Sequence, residues 1–197
     1  LEAPVATGDN VVNDVVLTPS GDAGFVSYTG AGGGVVRFEE DGTPTQFSDA
    51  VGDNTRLSSS FRFNCLYAPS TDDDLLRFLF TGDLVVEGNS TITDPFDSTV
   101  STDGRFLYIS STTGNSIRTF DIGDNVLLDT VLDTSIENPT KMTHTGNRLF
   151  VAHGDSDTVS VYSTSAANPV PVLVATQQVG DNPFGISYCQ PTAICQQ

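Results

Sequence analysis

Short stretches in which apolar and polar residues alternate, or in which a few apolar residues stand together, recur along the chain, separated by clusters of Gly, Asn, Asp and Ser. β-Strands joined by tight hairpins carry this pattern. It predicts four strands in one stretch: Phe96–Ser101, Arg105–Ser110, Ser116–Ile122 and Val126–Leu132, with turns at Thr102-Asp103-Gly104 and Thr113-Gly114-Asn115. The following stretch repeats the plan as Thr140–Thr143, Arg148–Ala152, Thr158–Tyr162 and Val170–Val174. No segment sustains a helical period.

Two independent markers keep one repeat length. An Asn or Asp that opens a strand recurs at Asn10, Asn54, Asp94, Asn138 and Asn182, at spacings of 44, 40, 44 and 44 residues. Three of these close a Gly-Asp-Asn tag (Gly8-Asp9-Asn10, Gly52-Asp53-Asn54, Gly180-Asp181-Asn182), and Asp94, Asn138 and Asn182 are each followed by proline, which a strand tolerates at its first residue. The second marker is Val36-Arg37-Phe38, Leu76-Arg77-Phe78, Ile117-Arg118-Thr119 and Val159-Ser160-Val161. A period of this length signals a repeat architecture.

Four strands in forty-odd residues predict an all-β chain, a β-propeller of four-stranded antiparallel blades, because such a twisted sheet buries both faces only against its neighbours. The units are about 10–53, 54–93, 94–137 and 138–181, with a partial unit at 182–197, all within one propeller domain or propeller fragment spanning 1–197. Pro4–Thr7 reads as an outer strand and Phe184–Cys189 as an inner one, so the chain is expected to begin and end within a blade. An open arc would expose apolar blade faces, and a longer propeller is the expected remedy, seven blades needing about 300 residues. Closure as five blades, and completion by neighbouring copies, remain alternatives.

The run Val151-Ala152-His153-Gly154-Asp155-Ser156-Asp157-Thr158-Val159-Ser160-Val161-Tyr162 resembles the repeat of the YVTN family, in which a "YVAN"-like strand, a polar turn and "NTVSVID" form the middle hairpin of a blade. Leu107-Tyr108-Ile109-Ser110 with Asn115-Ser116-Ile117 is a looser copy, and Asn182-Pro183-Phe184-Gly185-Ile186 is similar to the family's lead into an inner strand. The first two units carry Gly30–Gly34 and Thr71-Asp72-Asp73-Asp74 at the corresponding turn and rest on period and strand pattern. The resemblance implies a surface-layer or lactonase-like propeller.

Charge narrows the partners. Of 197 residues, 25 are Asp or Glu and 8 are Lys or Arg, for a net charge of −17. Such a surface repels phosphate backbones and anionic headgroups, so no nucleic-acid or acidic-membrane partner is expected. No apolar run approaches the roughly 20 residues that span a bilayer, so no membrane insertion is expected either. Lys141 is the single lysine. The acidic, Ser/Thr/Asn-rich profile suits an extracellular, cell-surface or periplasmic protein, and acidic residues also keep strand edges soluble. The chain starts at Leu1 and not Met, so an upstream segment is expected.

Candidate chemistry is sparse. Propellers bind ligands at the mouth of the central channel, where Asp14, Asp97, Lys141, His144 and Ser187 fall on or near predicted inner strands, with a solvated or hydrogen-bonded channel residue as the plainer expectation for each. His144 and His153 belong to no triad or nucleophile elbow. Asp72, Asp74, Asp155 and Asp157, in equivalent hairpin turns, are the candidates for calcium, although they lack the spaced ligand loop; otherwise no cofactor is expected. Cys189 and Cys195 are spaced to close a disulfide loop, Cys65 reads as a buried thiol, and Asn89-Ser90-Thr91 is a glycosylation sequon. The chain is therefore expected to be a secreted or cell-surface binding or structural module, its partners other protein chains or copies of itself. The alternative is the propeller portion of an extracytoplasmic enzyme, a lactonase-like hydrolase or a haem- or quinone-carrying redox enzyme.

Overall fold

The computed structural model describes residues 11–29, 34–48, 56–70, 75–80, 84–87, 94–124, 126–132 and 137–187. Among them there is no helix; the elements are sixteen strands in four antiparallel sheets. The first sheet holds β1 (Val11–Leu17), β2 (Ala23–Thr29), β3 (Gly34–Glu39) and β4 (Pro44–Ser48), and the second β5 (Ser58–Ser60), β6 (Cys65–Pro69), β7 (Leu75–Leu79) and β8 (Leu84–Glu87). The third holds β9 (Pro95–Val100), β10 (Phe106–Ser111), β11 (Ser116–Asp121) and β12 (Val126–Leu132), and the fourth β13 (Pro139–Thr145), β14 (Arg148–His153), β15 (Thr158–Ser163) and β16 (Val172–Gln178). Each is an up-and-down meander in sequence order. The strands predicted over 96–174 all occur, with ends displaced by a few residues. The Arg37, Arg77, Arg118 and Ser160 marker lies on the third strand of every sheet.

The two-residue alternation of a strand divides the core between successive sheet interfaces. On β6, Leu66 and Ala68 pack with Phe25 and Val35 of the first sheet, whereas Cys65 and Tyr67 pack with Leu107, Ile109 and Phe120 of the third. On β10, Leu107 and Ile109 face the second sheet, whereas Phe106 and Tyr108 join Met142, Leu149, Val151 and Tyr162 of the fourth. Both strands are buried at every residue. A sheet buried on both faces between two others is a blade, and the chain is a partial β-propeller. The first strands lie innermost, β9 packing against both β5 and β13. The fourth strands are outermost, and β16 is exposed along its whole length.

The repeat length is also a distance in the fold. Hydrogen bonds between neighbouring blades join Leu57 to Asp14, Ser58 to Ser98, Ser60 to Gly104 and Met142 to Asp97, and another joins Thr140 of the fourth blade to Pro183 of the segment that follows it, all pairs 40–45 residues apart. The Asn/Asp marker has a conformational cause. Asp94, Asn138 and Asn182 have φ of 44°, 48° and 50°, the left-handed region that only Gly, Asn and Asp enter readily. From there they staple the start of a blade to nearby hairpin turns: Thr113 Oγ1 donates to the Asp94 carboxylate, Asn138 Nδ2 to Asp155 Oδ1 (2.9 Å) and Asn182 N–H to Asp157 Oδ1 (2.7 Å). Pro95 and Pro139 are the first residues of β9 and β13.

The expected inner strand Phe184–Cys189 is described only as far as Ser187. Phe184–Ser187 pairs with no strand among the described residues; instead the Pro183 carbonyl accepts a hydrogen bond from Thr140 Oγ1 (3.1 Å). Pro4–Thr7, the tags at Asn10 and Asn54, and residues 188–197 lie outside the described residues.

Candidate functional site

Three of the four inner strands, β1, β9 and β13, share an irregularity near the end where they begin. The β1–β2 ladder shifts register between Val12 and Asp14, β9 shifts against β10 opposite Phe96 and Asp97, and β13 shifts against β14 at Thr140 and Lys141. A bulge places two residues opposite one and re-aims their side chains. Here Asp14 and Asp97 reach toward the following inner segment, and Lys141 reaches back toward the preceding inner strand. Asp14 Oδ2 accepts the Leu57 N–H (3.0 Å), and Asp97 Oδ2 accepts the Met142 N–H (2.7 Å). Lys141 Nζ lies 2.9 Å from Asp97 Oδ1, the carboxylate fully buried and the lysine side chain 28% exposed. Burial pushes the Asp97 carboxyl above its usual range, against the opposing pull of the Lys141 ammonium and the Met142 N–H.

Beside this pair, the positions two residues after the markers Asn54, Asp94 and Asn182 meet. The half-buried Arg56, which precedes β5, donates from Nη1 to the Asn13 carbonyl of β1 (2.5 Å). Its Cζ stands 5.9 Å from the ring centroids of both Phe96, on β9, and Phe184, beyond β16. The two rings meet edge to face at 5.7 Å and 86°. One guanidinium therefore touches the first strand of the first sheet, the first strand of the third and the segment that follows the fourth. A side chain that reaches so many inner segments lies at the propeller axis.

His144 stands apart from this group, at the closing end of β13, in the crevice between the third and fourth blades. Its ring stacks on Tyr108, centroids 5.4 Å apart and planes 8° from parallel. Nδ1 accepts the Thr102 N–H (3.1 Å), and Nε2 lies 2.9 Å from Thr164 Oγ1. A backbone N–H only donates, so the proton of the neutral ring sits on Nε2 and is donated to Thr164. Burial holds the His144 pKa below its ordinary value, and burial lifts the Tyr108 phenol to about 12. The crevice encloses about 420 Å³ and is bordered by Asp103, Phe106, Asn147 and Ser165.

The family model described as Lactonase, 7-bladed beta-propeller matches residues 87–187, just over half of the chain. The chain belongs to this lactonase family of seven-bladed β-propellers. Solved structures agree on the fold. A candidate 6-phosphogluconolactonase from Bacteroides uniformis superposes with a TM-score of 0.71 at 20% identity, covering 89% of this chain and 57% of that one. Virginiamycin B lyase from Staphylococcus aureus gives 0.68 at 14%, covering 91% and 58%. A functionally unknown protein from Desulfotomaculum acetoxidans gives 0.70 at 19%, covering 84% and 55%. The chain thus spans little more than half the length of these structures. No curated protein sequence matches it.

Within this lactonase-family propeller, Asp14, Asp97 and Lys141 come together at the opening end of the inner strands, His144 lies elsewhere, and Ser187 is exposed beyond the last blade. Asp155 and Asp157 each spend a carboxylate oxygen on the blade staples. Among the described residues no three His, Cys, Asp or Glu side chains converge as a metal site would require. Asp72, Asp74, Asn89, Cys189 and Cys195 lie outside the described residues. Cys65 is buried, its thiol 3.4 Å from Tyr67 Oη. Arg56, Phe96, Phe184 and Tyr108 were not anticipated as functional residues. For the first three a signal existed, since each stands two positions after a strand-opening Asn or Asp.

Proposed function

We propose that this lactonase-family propeller is an extracytoplasmic binding module whose ligand seats at the axial end where the inner strands begin. The reading rests chiefly on one observation: Arg56 joins inner segments from opposite ends of the arc, while the neighbouring charges are engaged in holding blades together. Asp14 and Asp97 each give an oxygen to a backbone N–H of the adjoining strand, and Lys141 neutralises Asp97. Carboxylates so engaged tie the blades together and are poorly placed to exchange protons with a substrate. The acidic, lysine-poor composition is what favours an extracytoplasmic setting.

The family match favours a second reading, the propeller part of a lactonase-like hydrolase. Glucono-δ-lactone offered to the full-length protein in a pH-stat separates the two. Binding without catalysis predicts a rate equal to the buffer rate, unchanged by Asp97→Asn. Turnover that disappears in Asp97→Asn would replace the binding module with the hydrolase.

A further inference from the structure

We infer that the axial cluster of Arg56, Phe96 and Phe184 is a recognition site for an organic carboxylate that carries a flat apolar ring. The inference rests on the reading of the axial end as the binding face and names the chemistry that face selects. Arginine presents five N–H donors in a rigid fork matched to a carboxylate. Asn13 meets one of them; among the described residues no other acceptor is paired with the Arg56 guanidinium, and no carboxylate forms an ion pair with it. Arg37 and Arg105 show the contrast, each being closed by an acidic partner, Glu39 and Asp121. Arg56 is half-buried, so its remaining donors stay open to solvent and to a ligand.

The apolar half of the site is as specific. Phe184 is 56% exposed at the axis, although its edge is fixed against Phe96 and its ring lies beside the cation. An aromatic held by Phe96 and Arg56 and still more than half exposed offers a platform for a second flat ring. Charge and platform adjoin, so a ligand satisfies both only if its carboxylate and its ring are separated by about one or two bonds. The acidic surroundings then act as a filter, because an anion finds this open fork among the described residues near the axis while the net charge of −17 repels it elsewhere.

Phenylacetate is the probe, titrated into the full-length protein and followed by calorimetry, with phenylacetamide and acetate as controls. Phenylacetate is expected to bind, and both controls, which lack either the charge or the ring, at least tenfold more weakly. Arg56→Gln should weaken phenylacetate tenfold or more. Phe184→Ala, at an exposed position where folding is not at stake, should weaken it severalfold and leave acetate unchanged. Equal binding of phenylacetate and phenylacetamide, or no binding of phenylacetate by a folded protein, overturns the inference. The outcome is separable from that of the lactone assay: turnover that depends on Asp97 removes the binding-module reading even if phenylacetate binds, and failure of phenylacetate without turnover removes the carboxylate site alone.

Discussion

The ring of His144 is held on three sides, by the Thr102 N–H, the Thr164 hydroxyl and the face of Tyr108. Protonation of Nδ1 would set two donors against each other at Thr102. Among the described residues that border the ring, Asp103 carries the charge, and it favours the protonated form less strongly than burial opposes it. The Tyr108 phenol, lifted to about 12, stays neutral throughout. With the folded pKa depressed below 6.5, the unfolded chain takes up its proton first. The stability His144 contributes is therefore complete above that value and is lost as the pH falls through it toward the folded pKa. The melting temperature of wild type should exceed that of His144→Gln at about pH 7.5, and the gap should narrow by about pH 5.5. A gap independent of pH would dismiss the account. The sequence places His144 on an inner strand but is silent on which end of the propeller it occupies, because that depends on where the neighbouring blade's turn arrives.

At the scale of the element, the staple between the start of a blade and its hairpin turns joins a backbone requirement to a side-chain one. Asn138 satisfies both: its φ is 48°, its carbonyl accepts the Gly154 N–H (3.1 Å), and its side chain donates to Asp155. Gly154 is constrained by the same staple, since a Cβ there would lie 2.9 Å from Asn182 Oδ1 and 3.2 Å from Asn138 Nδ2. Asn138→Gly keeps the backbone and loses only the side-chain bond, so it should cost about 1 kcal/mol. Asn138→Val must also bear the left-handed conformation of a β-branched residue, and should cost about 1–2 kcal/mol more. Urea denaturation of both variants checks the order; equal midpoints would mean that the conformation is not what the marker secures. This element was legible from the recurrence of Asn and Asp alone. The inner-strand bulges were not, since a bulge is a mismatch between two strands and leaves no pattern in either.

For the whole molecule, stability resides in the interfaces between sheets and not in any one sheet. Ile109 is fully buried between the second and third blades, whereas Val172 on β16 is 60% exposed. Ile109→Ala should cost about 2–5 kcal/mol through lost burial and the cavity left behind, and Val172→Ala within about 0.5 kcal/mol. Comparable losses at both sites in denaturant titrations would contradict a core distributed between blades. Alternation, turn residues and a fixed period by themselves determined the four-stranded units and their stacking, because each is a local consequence of strand geometry repeated along the chain. The assembly of Arg56, Asn13, Phe96 and Phe184 at the axis, and the separation of His144 from Asp97 and Lys141, were decided only by the tertiary structure. Residues one, two or three repeats apart meet there through the curvature of successive sheets about a common axis, a property of how whole blades pack that no local segment encodes.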